Sequence, residues 1–253
     1  MIFNKKKVQV ISIETLCTLI KPGNRIFISS GPASPVKTMR ELQQKEHPNL
    51  TDLEIIQLIT PDGLFSFEEE AHLKYRLKTF TVGESIEKNL QRGWIDFVPT
   101  HIAEIRHLFV SGAVGVDIAI IQTSPPDKKG NLNLGAVIDV SDIVVKKSPI
   151  VVAEINPNVP TTHGETTIPL NDVDFLIESD LPLIEREKKK HDAIIDTIAW
   201  HVSNLIEDGS TLSLQIGSLF DAISSHLCKK KELKVYTHII SDWIIPLIES
   251  GAV

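Results

Sequence analysis

The chain has 253 residues, 42% of them apolar, and a net charge of −7 at neutral pH. Such a chain is globular and long enough for a sizeable core, as one large domain or two smaller ones. The acidic balance argues against a nucleic-acid backbone as the main partner, while allowing a local basic pocket. Cys17 and Cys228 match no metal spacing and make no disulfide framework, so both read as inert thiols in a reducing, cytoplasmic setting. The N-terminal MIFNKKKVQV has a basic cluster but no long apolar stretch after it, so no signal peptide is expected. No run approaches the ~18 apolar residues of a membrane-spanning helix, and no membrane partner is expected.

In chain order, apolar β-rich runs alternate with helical patterns. RIFISS (25–30) predicts a buried strand that ends in the turn-rich loop GPASP (31–35). VKTMRELQQKE (36–46) predicts a helix, and LEIIQLIT (53–60) a strand closed by Pro61-Asp62-Gly63. LKTFTV (77–82) is a strand, and Gly83 opens a helix, ESIEKNLQRG. WIDFVP (94–99) is a strand followed by the short helix HIAEIRHLF (101–109). VDIAIIQTS (116–124), PIVVAEIN (149–156) and DFLIES (174–179) complete the strands of this part. Continuous Val/Ile/Leu runs suit strands covered on both faces, and strand–helix repetition gives a mostly parallel α/β sheet. Ligands of such sheets sit at the C-terminal strand ends, which directs attention to GPASP, TPDG, SPPDKKGN and NPNVPTTHG.

LPLIEREKKKHD (181–192) is charge-rich and reads as a solvated helix start or a linker. AIIDTIAWHVSNLIEDG (193–209) predicts an amphipathic helix whose stripe is Ile194, Ile198, Val202, Leu205 and Ile206, stopped at Gly209. TLSLQIG (211–217) predicts a strand, SLFDAISSHL (218–227) a helix and LKVYTHII (233–240) a strand. SDWIIPLIES (241–250) predicts a helix that Pro246 should bend or interrupt. The expected organisation is an N-terminal α/β domain over 1–185 and the incomplete start of a second α/β domain over 190–253.

Two loops gather polar chemistry. IQTSPPDKKGNLNLGAVIDVS (121–141) carries two prolines, Gly130 and the amides Asn131 and Asn133, and also reads as a hairpin-like connection that only shapes the domain. AEINPNVPTTHGE (153–165) puts Asn156, Asn158, two hydroxyls and His163 after a strand. His163 reads as a general base or as a hydrogen-bonded structural histidine. No metal spacing, nucleophile elbow or phosphate-binding glycine loop is present, so no metal is expected.

The segments SPPDKKGNLNLG, INPNVPTTHGE and FVPTHIAEIRHLF resemble signatures of the acetyl-CoA hydrolase / 4-hydroxybutyrate CoA-transferase family. FTVGESIEKNLQRGWIDFVP, DGSTLSLQIGSLFDAI and SDWIIPLIESGAV extend the resemblance from about residue 10 to residue 253. It implies a CoA-transferase-like α/β fold, a parallel-rich sheet with flanking helices followed by the start of a second similar domain. It also implies movement of coenzyme A, as substrate, between a short-chain acyl-CoA and a small carboxylic acid. In the family a glutamate attacks the thioester and carries CoA as a glutamyl thioester. That glutamate stands before a Ser-Asp-Gly turn. The matching stretch here is Tyr236-Thr237-His238-Ile239-Ile240-Ser241-Asp242-Trp243, so the resemblance places His238 at the nucleophile position and Trp243 at the glycine. Gln215 and Gly217 fall in the glycine loop near the thioester, with Gln215 and Phe220 replacing the family's first glycine and its proline. Gly31, Ser34 and Pro35 with Asn156, Asn158 and His163 are the implied acid-side pocket. With no glutamate at 238, three further readings stand beside transfer. They are an inactive CoA- or acid-binding pseudoenzyme, a half-protein completed by a second chain or a homo-oligomer, and an acyl-CoA hydrolase. A decayed fragment is the fourth.

Overall fold

A computed structural model describes residues 8–186 and 190–253. The N-terminal basic cluster, Lys5 to Lys7, and positions 187–189 of the charged segment lie outside the described residues. The chain divides into two compact units, Met1–Glu185 and Arg186–Val253.

The first unit runs β1 (Gln9–Val10), α1 (Ile13–Leu19), β2 (Arg25–Ile28), α2 (Val36–Gln44), β3 (Leu53–Gln57), α3 (Glu69–Lys74), β4 (Tyr75–Thr79), α4 (Glu84–Leu90), β5 (Ile95–Phe97), α5 (Ile102–Val110) and β6 (Ile118–Thr123). It continues with β7 (Asn131–Asn133), α6 (Ser141–Lys147), β8 (Ile150–Ile155), β9 (Thr167–Pro169) and β10 (Phe175–Glu178). Eight strands form one sheet in the order β1-β10-β8-β6-β2-β3-β4-β5, and every neighbouring pair is parallel.

The continuous apolar runs are explained by two cores. Within β2, Ile26 and Ile28 join Leu16, Met39, Ile55 and Ile120 on one face, while Phe27 joins Ile56, Ile121, Val144 and Val151 on the other. Alternate residues point to opposite faces, so helices on both sides require apolar residues at every position. The segment after β6 turns back hairpin-like, the Ser124 N–H donating to Asn133 O at 2.9 Å and the Asp127 N–H to Asn131 O at 2.8 Å. Its β7 pairs antiparallel with β9, joining the two polar loops 124–135 and 156–169 in a separate ribbon.

The second unit holds α7 (Ala193–Leu205), β11 (Thr211–Leu212), α8 (Ser218–Leu227), β12 (Lys234–Val235) and α9 (Ile244–Glu249), with β11 and β12 paired in parallel. Both strands are far shorter than the sequence pattern predicts, because the ladder ends with the Tyr236 N–H donating to Leu212 O at 2.9 Å. The buried face of α7 also differs from the predicted stripe. Ala199, Ser203 and the partly buried Ile195, Val202 and Ile206 face the core, whereas Ile194 and Leu205 are 71% and 83% exposed. Pro246 does not interrupt α9. It falls in the first turn, where its missing N–H costs no intrahelical bond.

Trp243 is 1% exposed and sits at the centre of the second core with Leu227, Leu233 and Leu247. Its Nε1 has no partner, while its carbonyl accepts the Ser224 hydroxyl. Trp243→Gly removes the largest side chain of this small core and should cost about 3–5 kcal/mol. Trp243→Phe loses no hydrogen bond and should cost clearly less. Denaturant melts of the two variants check this, and equal losses would show that the indole is not packed as described.

Candidate functional site

Strand order reverses between β2 and β6: β3, β4 and β5 continue on one side, β8 and β10 on the other. In open parallel sheets the crevice beyond this point is where ligands bind. Here the segments at that point are the loop after β2, Ser29 to Pro35, and the end of β6, Gln122 to Ser124, most of whose side chains are buried.

The β2 loop is tightly self-bonded. Gly31 has a left-handed backbone, φ +54°, which starts the tight turn Gly31–Ala33 and favours glycine. Its N–H donates to Ile59 O at 3.0 Å, and the N–H groups of Ala33 and Ser34 donate to Ser30 O and Gly31 O, each at 3.0 Å. The Ser34 hydroxyl donates to Gly31 O at 2.8 Å. Pro32 and Pro35 have no N–H. The loop therefore has little backbone donor capacity left for a ligand.

Side chains from the neighbouring strands brace it. Gln57, at the end of β3, donates through Nε2 to Ser29 O and Ser34 Oγ, both at 2.9 Å. Its Oε1 is buried and has no partner, a carbonyl left open to water or a ligand group. Gln122 donates its Nε2 to Pro32 O at 3.3 Å, and Asn156 donates its Nδ2 to Gln122 Oε1 at 3.0 Å and to Leu181 O at 2.8 Å. Asn156 is fully buried, and its Oδ1 accepts the Asn158 N–H at 3.0 Å. Asn158 is exposed and donates to Asp180 O and Leu181 O. The structure thus brings Gly31, Ser34 and Asn156 into one bonded cluster through Gln57 and Gln122, with Asn158 at its rim, while Pro35 follows Ser34 and its carbonyl accepts the Met39 N–H of α2. His163 is exposed and stands apart, one residue beyond Thr162, whose carbonyl accepts from Asn133 at 2.9 Å.

Sequence reading missed three members of this cluster besides Gln57. Glu154, opposite Gln122 in the β6–β8 register, is 0% exposed. Its two carboxylate oxygens accept the N–H groups of Lys37 (3.4 Å) and Thr38 (2.8 Å), so it caps α2 from another strand. Lys37 donates its Nζ to Glu178 O at 2.8 Å. Gln57, Gln122 and Glu154 share one legible signal, a polar residue inside an apolar run close to a strand's end.

Asp139 is the third. It has a left-handed backbone, φ +43°, rare for a residue with a side chain. Its Oδ2 accepts the Ser30 N–H at 3.1 Å, and its Oδ1 accepts the Ser141 N–H at 2.7 Å and the Ser141 hydroxyl at 2.6 Å. Burial pushes its carboxyl up from 3.8 to about 6, against the opposing pull of these hydrogen bonds.

In the second unit, Thr237 donates its hydroxyl to Leu214 O at 2.9 Å and to Ile239 O at 3.1 Å. This places the loops after β11 and β12 side by side, Gln215 and Gly217 on one and His238 on the other. Gly217, at φ +148°, starts α8 without a side-chain cap. His238 is exposed on a bend and is not at the centre of a strand as the sequence predicts. Among the described residues no group of three His, Cys, Asp or Glu side chains is arranged to hold a metal, and no helix is long and apolar enough to cross a membrane.

The family model of the acetyl-CoA hydrolase/transferase N-terminal domain matches residues 3–185. The chain belongs to this family. It is 29% identical over 247 residues to the 4-hydroxybutyrate coenzyme A transferase of Clostridium kluyveri, covering 98% of this chain and 57% of that protein. It is 31% identical over 237 residues to the succinyl-CoA:acetate/propanoyl-CoA:succinate CoA transferase of Fasciola hepatica, covering 92% of this chain and 49% of that one. The fold is shared with RipA from Yersinia pestis, at a TM-score of 0.87, 21% identity and coverage of 97% of this chain and 59% of that one. The chain spans about half the length of the curated relatives it matches. The resemblance and the CoA-transferase-like α/β fold are borne out. CoA transferases use coenzyme A as a substrate, so the family's chemistry is that of CoA thioesters.

Two outcomes follow from the site's charges. Glu154→Ala leaves two buried N–H groups of α2 without an acceptor and should cost about 2–4 kcal/mol, with Glu154→Gln in between, as denaturant melts would show. An Ala variant within experimental error of the parent would refute the capping role. Asp139 works in the opposite direction. Its folded-state carboxyl is raised, so the native state holds the proton more tightly. Its stabilising contribution is complete below about 3.8 and lost as pH rises to about 6. Asp139→Asn should flatten that part of the stability–pH curve, and an unchanged curve would assign the slope elsewhere.

Proposed function

We propose that this chain binds a short-chain acyl-CoA and a small carboxylic acid and serves the transfer of CoA between them. The cluster of Ser34, Gln57, Gln122 and Asn156 at the switch-point crevice carries the reading, in a chain whose relatives are named as CoA transferases. The place beyond the β2 and β6 strand ends takes the acid, with Gly31, Ser34, Pro35, Asn156 and Asn158 beside it, and the exposed His163 is left without an assigned contact to it. Gln215, Gly217 and His238 take the thioester end. A second copy or a second polypeptide is the expected partner.

The transfer chemistry needs a carboxylate. A carboxylate oxygen adds to the thioester carbonyl and CoA leaves as thiolate, giving an anhydride. The thiolate then adds to the protein-side carbonyl and the acyl group departs as a free acid. The acceptor acid reverses these steps. His238 cannot form such an anhydride. Attack by an imidazole would release CoA thiolate and leave an acyl-imidazole, which water opens to the acid, so that route ends in hydrolysis. The exposed bend around His238 favours a second reading, binding without transfer.

Purified protein with acetyl-, propionyl- or butyryl-CoA and a panel of short acids, followed by mass spectrometry, separates these readings. Transfer predicts exchange of CoA between acids by His238→Glu, which restores a carboxylate at the nucleophile position, and none by His238→Ala alone. Release of free CoA alone, abolished by His238→Ala, would replace it with hydrolysis. Acyl-CoA binding without turnover in either the parent or the His238→Glu variant would establish the binding reading.

A further inference from the structure

Asp139 accepts the N–H of Ser30, in the loop after β2, from a backbone conformation that a side chain makes costly. Its loop also touches the turn directly, since a Cβ on Gly31 would lie 3.9 Å from Val137 Cγ2. Nothing in the transfer chemistry uses this carboxylate. We propose that Asp139 is the positioning residue of the crevice: ionised, it holds the Ser30 N–H and with it the turn Gly31–Ser34 in the shape that accepts a ligand carboxylate, and protonation releases that hold. The proposal rests on the reading of this crevice as the acid site.

The asymmetry of the hydrogen bonds decides where the proton goes. Oδ1 accepts two donors, both from Ser141, and remains a carbonyl-type acceptor. Oδ2 accepts only the Ser30 N–H, at 3.1 Å. A proton on Oδ2 turns that oxygen into a poor acceptor, and Ser30 loses its partner. Ser30 is the residue whose carbonyl accepts the Ala33 N–H and whose hydroxyl accepts the Leu58 N–H at 3.2 Å, so the release reaches both the turn and the end of β3. The charged and titratable groups on the neighbouring helices are Glu104, Arg106 and His107 of α5 and Asp142, Lys146 and Lys147 of α6. Arg106 and Asp142 satisfy each other through two bonds at 2.8 and 2.7 Å. On the β2 and β6 side the facing groups are Ser29, Ser30 and Gln122, which do not titrate in this range. With the carboxyl at about 6, the change falls in a mildly acidic range.

The test is a pH titration of the full chain followed by the backbone NMR signal of Ser30 and the side-chain carboxyl signal of Asp139. Both should move together with a midpoint near 6, the Asp139 value. Asp139→Asn should abolish the Ser30 titration and leave the rest of the spectrum in place. If that variant does not fold, Ser141→Ala serves instead, because loss of its hydroxyl bond should shift the midpoint upward. Methanesulfonate, which stays ionised throughout, should bind about fivefold more weakly at low than at neutral pH, the effect of one lost hydrogen bond. A Ser30 signal that does not titrate, or that still titrates in Asp139→Asn, overturns the proposal. A Ser30 titration with neither methanesulfonate nor acetate bound at neutral pH keeps the hold on Ser30 but overturns the acid-site reading on which the rest depends.

Discussion

The first unit depends on how a parallel sheet ends. Its ladders satisfy backbone groups within the strands, but beyond the last pair each chain must turn away with its polar groups unsatisfied and apolar residues around them. At the reversal between β2 and β6 four buried polar side chains meet that demand. Gln57, Gln122, Glu154 and Asn156 come from β3, β6, β8 and the residue just after β8, and each reaches across to a loop or helix end that is not its own. Parallel strands are far apart in sequence, so only such cross-connections fix one strand end against the next. The same groups that close the sheet therefore shape the proposed acid site, and changes that loosen the packing there would alter it as well.

This explains what the sequence made legible. The strands of the first unit follow from apolar runs, because burial on both faces leaves one pattern only, as Ile26, Phe27 and Ile28 show. The GPASP turn follows from glycine and proline, whose backbone limits are local. The cap of α2 does not, since Pro35 precedes the helix and the acceptor, Glu154, lies more than a hundred residues along the chain. The acid-side set follows from the family resemblance, and polarity after a strand singles out only Asn156, Asn158 and His163 within it. That rule finds Asn156, which joins the cluster, and equally His163, which stands exposed outside it. In the second unit the strands shrink because β-branched residues alone do not make a ladder. Val235 and the Tyr236 N–H still meet β11, while Thr237 to Ile240 follow a turning path pinned by the Thr237 hydroxyl. The apolar stripe of α7 was misassigned for a related reason. The helix carries two apolar faces, and periodicity alone does not say which one packs.

Asp139 shows what such a cluster costs. A carboxylate raised to about 6 is one whose charged form the fold disfavours, and its left-handed backbone adds strain. Stability alone would select asparagine or glycine there. Asparagine tolerates the same backbone and brings no charge to desolvate, but its amide presents one acceptor oxygen where the aspartate uses two. Ser141 needs an acceptor on one side and Ser30 on the other. Only an ionised carboxylate serves both, so the helix start and the β2 loop are tied together by the one group the surroundings are least suited to hold charged. Strain kept beside the proposed acid site, where a neutral residue would bring no charge to desolvate, fits the positioning role proposed for Asp139.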